Sequence, residues 1–389
     1  MFRLRALVAG SLLAGVALSA CSKPEDPEQP AAAAPDFEAE VAEYIRLFPY
    51  QDTYEYLVRY TGGDPAIMNS WAFGEQPALV RAGDDKVVRM NNDTYYKLGF
   101  VDLSAGPVTL NSKNPTNGRF YSYQLMDDRN VNFRNLIMPD QAYTLYRGSA
   151  PAEADGELVE APSDIVALIV RVEVKDKNDP ADIEAAQFVF NGLTLDAPEV
   201  AGIKEVDLLS RFSEEVTAEA ESRIEEKFRS TPLNELIVKL DQTVGEDFAY
   251  INLAAGTSCC WGGPDPSHSD YELIFVDGKG DILDASKGSY SLTMTEPPVD
   301  AFWSITVYDT ARGGFLHPND EDKYHINNSS AVPNGDGTFT FHFKTSCGMD
   351  DLNCLEVPNG PFDVAGRYYL PTEEIVSREW SLPGIMLDE

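Results

Sequence analysis

Phe339-Thr340-Phe341-His342-Phe343-Lys344 alternates aromatic and polar residues, and the tight turn Asn334-Gly335-Asp336-Gly337 stands just before it. A period of two puts the phenylalanines on one face of a strand and Thr340, His342 and Lys344 on the other, the pattern of a sheet with one wet face. Outward from this stretch, similar short runs lie at 271–276, 290–294, 301–308 and 366–370. A second set lies far upstream, at 95–101, 107–110, 119–126 and 165–174, with turn clusters such as Ser112-Lys113-Asn114-Pro115-Thr116-Asn117-Gly118 between them. Phe120 to Leu125 carries aromatics on both parities, as a strand covered on two sides does. No helical period separates the runs of either set. That argues against a parallel sheet threaded with helices and for antiparallel sandwiches.

The middle of the chain has a different period. Asp179-Pro180 reads as an N-cap followed by proline at the first helical position, with Asp182 in the first turn. Leu208, Phe212, Val216, Ala220, Ile224 and Phe228 recur every fourth residue with Glu-rich faces between them. Thr231-Pro232 restarts a helix carrying Leu233, Leu236, Ile237 and Leu240. A leading helix over 38–60 shows Val41, Tyr44, Ile45 and Phe48 on one face. Pro49 ends or kinks it, and Tyr50, Tyr54 and Leu57 continue the pattern. The organisation is a mainly β chain: an N-terminal β-sandwich domain with its leading helix at 38–177, a helical segment at 178–245, and a C-terminal β domain at 246–389.

The 389 residues carry 64 acidic against 30 Lys and Arg side chains, a formal charge of -34. Such a surface repels a phosphate backbone, so nucleic acid is not an expected partner. The N-terminus reads as a secretory signal over 1–20: Arg3 and Arg5, an apolar stretch too short to span a bilayer, then Leu18-Ser19-Ala20-Cys21. This order resembles the lipobox of bacterial lipoproteins. The resemblance implies that Cys21 is acylated, that the lipid bilayer is a partner through it, and that Pro-, Ala- and Glu-rich residues 21–37 form a flexible tether. By analogy with the sorting of bacterial lipoproteins, Ser22 after the cysteine implies the outer membrane of the bacterial cell envelope. The compartment permits disulfides. A local Cys347–Cys354 bridge is favoured, which leaves Cys259 and Cys260 as neighbours; a crossed pairing of the two loops stays open. The spacing of these four cysteines suits no zinc site, and no metal is expected.

Val88-Arg89-Met90-Asn91-Asn92-Asp93-Thr94-Tyr95 resembles the signature of a bacterial two-domain family of unknown function. Its halves are domains of unknown function numbered twelve-fifty-four and twelve-fourteen. Gly118-Arg119-Phe120-Tyr121, Leu125-Met126-Asp127 and Asn132-Phe133 match the next block. The stretch from Pro298 to Asp309, with Asp300-Ala301-Phe302-Trp303-Ser304 at its centre, matches the most recognisable motif. Residues 334–338, 358–362 and Arg367-Tyr368-Tyr369 continue the match. The resemblance covers most of 40–385. It implies an N-terminal β-sandwich, a helical part and a C-terminal jelly-roll-like sandwich, and it supplies no reaction. The chain departs from the pattern at Met90, at 97–100 and in both cysteine loops.

Asn91-Asn92-Asp93-Thr94 is the densest polar motif. It suits an Asx-rich turn at a strand start, and equally a grip on a polar ligand. Arg119 and Arg367 each open an aromatic strand, ready for an ion pair with an acid such as Asp127 or Asp309, or for a carboxylate-bearing or sugar-like ligand. Tyr121, Trp303, Tyr308 and Tyr369 suit either an aromatic core or the floor of a cleft. None of His268, His317, His325 and His342 has zinc spacing. Acid clusters at 176–182, 277–281 and 320–322 lack the calcium-loop pattern. No cofactor is expected, although weak calcium binding stays open. The expectation is an envelope lipoprotein that binds a small polar molecule, glycan or protein partner at its β domains. The alternatives are a cofactor-independent hydrolase or lyase using Asp93, Asp127 or His317 as acid–base groups, and a structural homo-oligomer.

Overall fold

Strand runs with period two close into sandwiches because each sheet must cover its apolar face. The computed structural model describes residues 36–83, 89–112 and 118–388. The signal segment, Cys21, most of the tether and Val88 of the N-terminal motif lie outside the described residues.

The N-terminal strands are β1 (Ser70–Phe73), β2 (Thr94–Asp102), β3 (Val108–Asn111), β4 (Tyr121–Met126), β5 (Asn132–Ile137), β6 (Tyr143–Tyr146), β7 (Glu157–Glu160), β8 (Ile165–Glu173) and β9 (Thr194–Asp196). They form a five-stranded sheet in the order β1-β2-β8-β4-β5 and a four-stranded sheet in the order β7-β6-β3-β9. Val101, Tyr121, Tyr123, Leu168, Val170 and Val172 fill the space between them. The C-terminal strands are β10 (Ser269–Ile274), β11 (Tyr290–Met294), β12 (Val299–Asp309), β13 (His325–Asn327), β14 (Phe339–Lys344), β15 (Cys354–Glu356), β16 (Phe362–Pro371) and β17 (Met386–Leu387). Two four-stranded sheets, β10-β16-β12-β13 and β15-β14-β11-β17, enclose Trp303, Ile305, Phe341, Phe343 and Tyr368. Eight strands in two sheets of four match the jelly-roll-like expectation. The alternation in β14 buries Phe339, Phe341 and Phe343 and leaves Thr340, His342 and Lys344 less covered.

The helices are α1 (Phe37–Thr61), α2 (Pro180–Gly192), α3 (Glu214–Ser230), α4 (Tyr250–Cys260) and α5 (Glu373–Val376). Asp179 caps α2 through the Ala181 amide at 2.9 Å, with Pro180 behind it. Three elements differ from the sequence reading. Helix α1 runs through Pro49 without ending. Its first half packs Val41, Tyr44 and Ile45 on α3 and α4, and its second half packs Leu57 on the five-stranded sheet. Packing at both ends outweighs the one hydrogen bond that proline removes. Helix α3 starts only at Glu214, because Ser213 caps it through the Val216 amide at 3.2 Å. The segment after Pro232 makes a single 3-10 turn, Leu233–Glu235. Helix α4 carries no four-residue apolar pattern. A Cβ on its Gly256 would come within 2.0 Å of the Leu236 carbonyl, so glycine alone lets the helix lie on that segment.

Cys347 and Cys354 are bonded (S–S 2.02 Å), and Cys259 and Cys260 are bonded to each other at the end of α4. The crossed pairing therefore does not occur.

Candidate functional site

The outer face of the five-stranded sheet lies against the C-terminal sheet β10-β16-β12-β13, and the segment before β2 is pinned into the seam between them. Arg89, in left-handed backbone (φ 54°), donates its amide to the Gly314 carbonyl at 2.9 Å. Its guanidinium forks onto Asp363 at 3.0 and 3.2 Å, and Thr310 donates to the same carboxylate. The next residues turn inward. Asn91, Asn92, Asp93 and Thr94 are all buried. Thr94 donates to Asn91 Oδ1 at 2.9 Å, a local turn bond as the sequence suggests. The other partners lie far along the chain. Asn91 Nδ2 donates to the Tyr369 hydroxyl, which points at Asp93 Oδ1, 3.5 Å away. Ser304 donates to Asp93 Oδ2. Asn92 donates to the Val80 carbonyl and faces His325 Nδ1 at 3.2 Å.

Two rows of side chains meet across this seam. In the N-terminal sheet Tyr96, Arg171 and Ser122 are register partners on β2, β8 and β4. In the C-terminal sheet Tyr271, Arg367 and Ser304 hold the same places on β10, β16 and β12. The Arg171 guanidinium lies 5.5 Å over the Tyr96 ring, and that of Arg367 lies 5.2 Å over Tyr271. Arg171 Nη1 donates to Gln124 at 2.6 Å, and Arg367 Nη1 donates to Thr306 at 3.0 Å. Arg367 Nη2 also donates to the Tyr308 oxygen at 2.7 Å and the Arg89 carbonyl at 2.6 Å, while the Tyr308 hydroxyl donates to the Met90 carbonyl at 2.8 Å. Phe302 stacks on Tyr369 at 4.0 Å, and Phe120 reaches across from the other domain, 5.4 Å from Tyr369.

Enclosure controls the protonation of these groups. Burial pushes the Tyr96 phenol up to about 12. Its side chain nevertheless keeps some accessible surface, as does that of Tyr271. Burial also holds His325 below the ordinary histidine value, and holds His268 well below it with help from the Arg171 charge. Both imidazoles are neutral at pH 7. A cavity of about 380 Å³ opens beside Asn92 and His325, walled by Lys175, Lys177, Asp322 and Ser330. Lys177 closes one side by donating to the carbonyls of Glu321 and Asp322, both at 2.8 Å. A smaller cavity, about 140 Å³, lies along the seam at Phe120, Glu173 and Ala301. Among the described residues no three His, Cys, Asp or Glu side chains gather as a metal would need.

Residues 72–196 match the family model of a protein of unknown function, DUF1254, and residues 269–373 match that of a second, DUF1214. The chain belongs to the DUF1254–DUF1214 family. The DUF1254 match ends at β9 and the DUF1214 match begins at β10, so the seam lies where the two matched regions meet. The crystal structure of the VPA0106 protein from Vibrio parahaemolyticus shares the fold, with a TM-score of 0.71 at 18% identity over 91% of this chain and 100% of that one. An uncharacterized protein from Burkholderia cenocepacia aligns with a TM-score of 0.46 at 14% identity, over 92% of this chain and 90% of that one. No curated protein matches the chain.

In this DUF1254–DUF1214 chain the seam gathers Asn91, Asn92, Asp93, Tyr308, Arg367 and Tyr369 from the sequence candidates. The others lie elsewhere. Tyr121 and Trp303 point into the two sandwich cores, because each is one residue away from the seam-facing parity. Arg119 takes its ion pair from Asp182 on α2, not from Asp127 or Asp309. Among the described residues no carboxylate bonds directly to Arg367: its guanidinium donates to neutral oxygens, and Asp93 is a nearby negative charge. Asp127 caps the β4–β5 turn, bonded to Arg129 at 2.8 Å and to the Val131 amide at 2.9 Å. Thr94 pairs with Glu173 and Met126 with Ala167, so Asp127 and Asp93 sit at opposite ends of the sheet, roughly 20 Å apart at 3.3 Å per residue. His317 lies 3.7 Å from Asp309, five residues along β12 from the Ser304 that holds Asp93. The three acid–base candidates do not converge. Sequence reasoning passed over Arg171, Tyr96, Ser122 and Tyr271, and weighed His268 and His325 only for zinc spacing. The legible signal was Arg171 itself, a lone charge within the apolar run Ile165-Val166-Ala167-Leu168-Ile169-Val170-Arg171-Val172.

Proposed function

We propose that this chain is a bacterial envelope lipoprotein that holds a small polar ligand in the seam between its two β domains. The observation that carries the reading is the seam's charge inventory. Arg171 and Arg367 are both buried there, and among the described residues Asp93 is the one carboxylate bonded into their rows. Neighbouring Glu173 belongs to another group: its charged neighbours are Lys175, Arg119 and Asp182. A soluble fold rarely buries a cation without a counter-charge unless something else supplies it. The cavity beside Asn92 and His325 gives a small molecule room next to the seam. The lipobox-like Leu18-Ser19-Ala20-Cys21 supports anchorage of the whole body to a membrane.

Calorimetric titration of the chain from residue 22 onward with glycans, small organic acids and divalent cations tests the binding reading. Binding that Asn92→Ala abolishes while circular dichroism shows intact structure supports it. Silence across all three classes contradicts it. Anchorage is tested by metabolic labelling with a fatty acid: the label should appear on the wild type and vanish in Cys21→Ser.

A further inference from the structure

The two Tyr–Arg–Ser rows are alike in sequence of residues, in the cation over the tyrosine and in the Nη1 partner two residues beyond the serine. They differ in their Nη2 partners and at the serine. In the C-terminal row Ser304 donates to a carboxylate, Asp93. In the N-terminal row Ser122 holds the matching place, and among the described residues its buried Oγ has no hydrogen-bond partner. Arg171 Nε, beside it, is likewise buried without one. So is Nε2 of His268, whose ring packs 5.7 Å from Phe120, which stands just before β4, two residues ahead of Ser122. His268 Nδ1 is already engaged with Ser269 at 3.1 Å. Buried polar atoms are almost always partnered. The three exceptions sit on neighbouring residues: Ser122 is the register partner of Arg171, and the Arg171 charge acts on His268.

We infer that the seam binds a small carboxylate, received by Arg171 Nε, Ser122 Oγ and His268 Nε2 as the Asp93 carboxylate is received by Ser304 in the opposite row. The inference deepens the ligand-binding reading and rests on it. A carboxylate is planar, offers two acceptor edges to a guanidinium and a hydroxyl, and carries the single negative charge that balances Arg171 and Arg367 against Asp93. The half-buried rings of Tyr96 and Tyr271 flank the position.

The test is calorimetric titration of the chain from residue 22 onward with sodium acetate, sodium glycolate, acetamide, inorganic phosphate and glucose. Acetate or glycolate should bind, and neutral acetamide should bind at least about 10-fold more weakly, the effect of one hydrogen bond to a charged group. Arg171→Met should remove acetate binding while the melting temperature holds within about 3 °C or rises, because an apolar chain replaces an uncompensated buried cation. A purely structural arginine would instead give a large fall in melting temperature. Ser122→Ala, which only deletes an unpartnered hydroxyl, keeps the fold and should weaken acetate about 10-fold even if Arg171→Met fails to fold. Acetate binding that neither variant changes overturns the inference, as does tighter binding of phosphate than of acetate. If glucose binds in an Asn92-dependent manner and the carboxylates do not, the carboxylate assignment fails and the seam reading survives. If nothing binds, both fail.

Discussion

Replacing Asp93 with alanine should cost the folded chain about 4 kcal/mol. The carboxylate is fully buried and receives the Ser304 hydroxyl and, more loosely, the Tyr369 hydroxyl at 3.5 Å. A hydrogen bond to a charged acceptor is worth about 1.5–3 kcal/mol, with the longer one at or below the low end. Removal also strands the nearby Arg367 charge, whose hydrogen-bond partners are all neutral, and uncovering one buried charge by deleting its counter-charge costs about 3–5 kcal/mol. These terms overlap, because both arise from the same desolvated carboxylate, so about 4 kcal/mol is the expected total. For a chain of this length that is roughly 8 °C of melting temperature, at about 2 °C per kcal/mol. Asp93→Asn keeps the acceptor and loses only the charge, and should fall about half as far. The assay is thermal unfolding by circular dichroism, with Ser304→Ala and the double variant completing a cycle. The double variant should lose less than the sum of the singles, as contacting partners do. A loss below about 1 kcal/mol for Asp93→Ala, or strict additivity with Ser304→Ala, would refute the network.

Acidification should weaken the fold through its two buried neutral histidines. The folded pKa values of His268 and His325 lie below the unfolded value. The unfolded chain therefore takes up protons first, and stability present above about pH 6.5 is lost below it at up to about 1.4 kcal/mol per pH unit for each histidine. The melting temperature of His325→Gln should accordingly fall less between pH 7.5 and 5.5 than that of the wild type. Asp52 behaves with the opposite sign. Burial pushes its carboxyl up to about 7, and its Oδ2 has no hydrogen-bond partner among the described residues. Its ionisation thus opposes folding as pH rises from about 4 through 7, and Asp52→Asn should stabilise the chain at pH 8 by on the order of 2 kcal/mol, read as a raised urea midpoint. Joint replacement of Cys347 and Cys354 by serine releases a seven-residue separation and should cost about 2.5 kcal/mol, visible as a melting temperature lower by roughly 5 °C.

The alternation of Phe339 to Lys344 and the continuous apolar run at 165–174 made both sandwiches legible, because the first pattern follows from a half-covered strand and the second from one buried on both faces. The cap at Asp179-Pro180 was equally plain. Helix α4 was not, since its residues Leu253-Ala254-Ala255-Gly256-Thr257 are small on every side and pack by close approach to residue 236 rather than by a stripe of large side chains. Asn91 to Thr94 announced a polar site, but a sequence cannot distinguish a turn that bonds locally from one whose partners are Ser304, His325 and Tyr369, more than two hundred residues away. The two arginine-aromatic strands suggested Arg119 as the counterpart of Arg367. Strand register shows that the counterpart is Arg171, and parity along β4 puts Ser122, not Tyr121, at the seam. Register depends on which strands pair as well as on the hydrophobic pattern of each, so one strand's sequence alone does not show its counterpart.

The central claim is that the seam between the two sandwiches is a ligand site and not merely a domain contact. Diffraction from crystals of the chain soaked in bromoacetate, with bromine located by its anomalous signal, tests it most directly. The account places a bromine peak between the two rows, with the carboxylate within hydrogen-bond distance of Arg171 Nε and Ser122 Oγ. A well-ordered seam with no peak there, in crystals that carry bromine elsewhere, would contradict it.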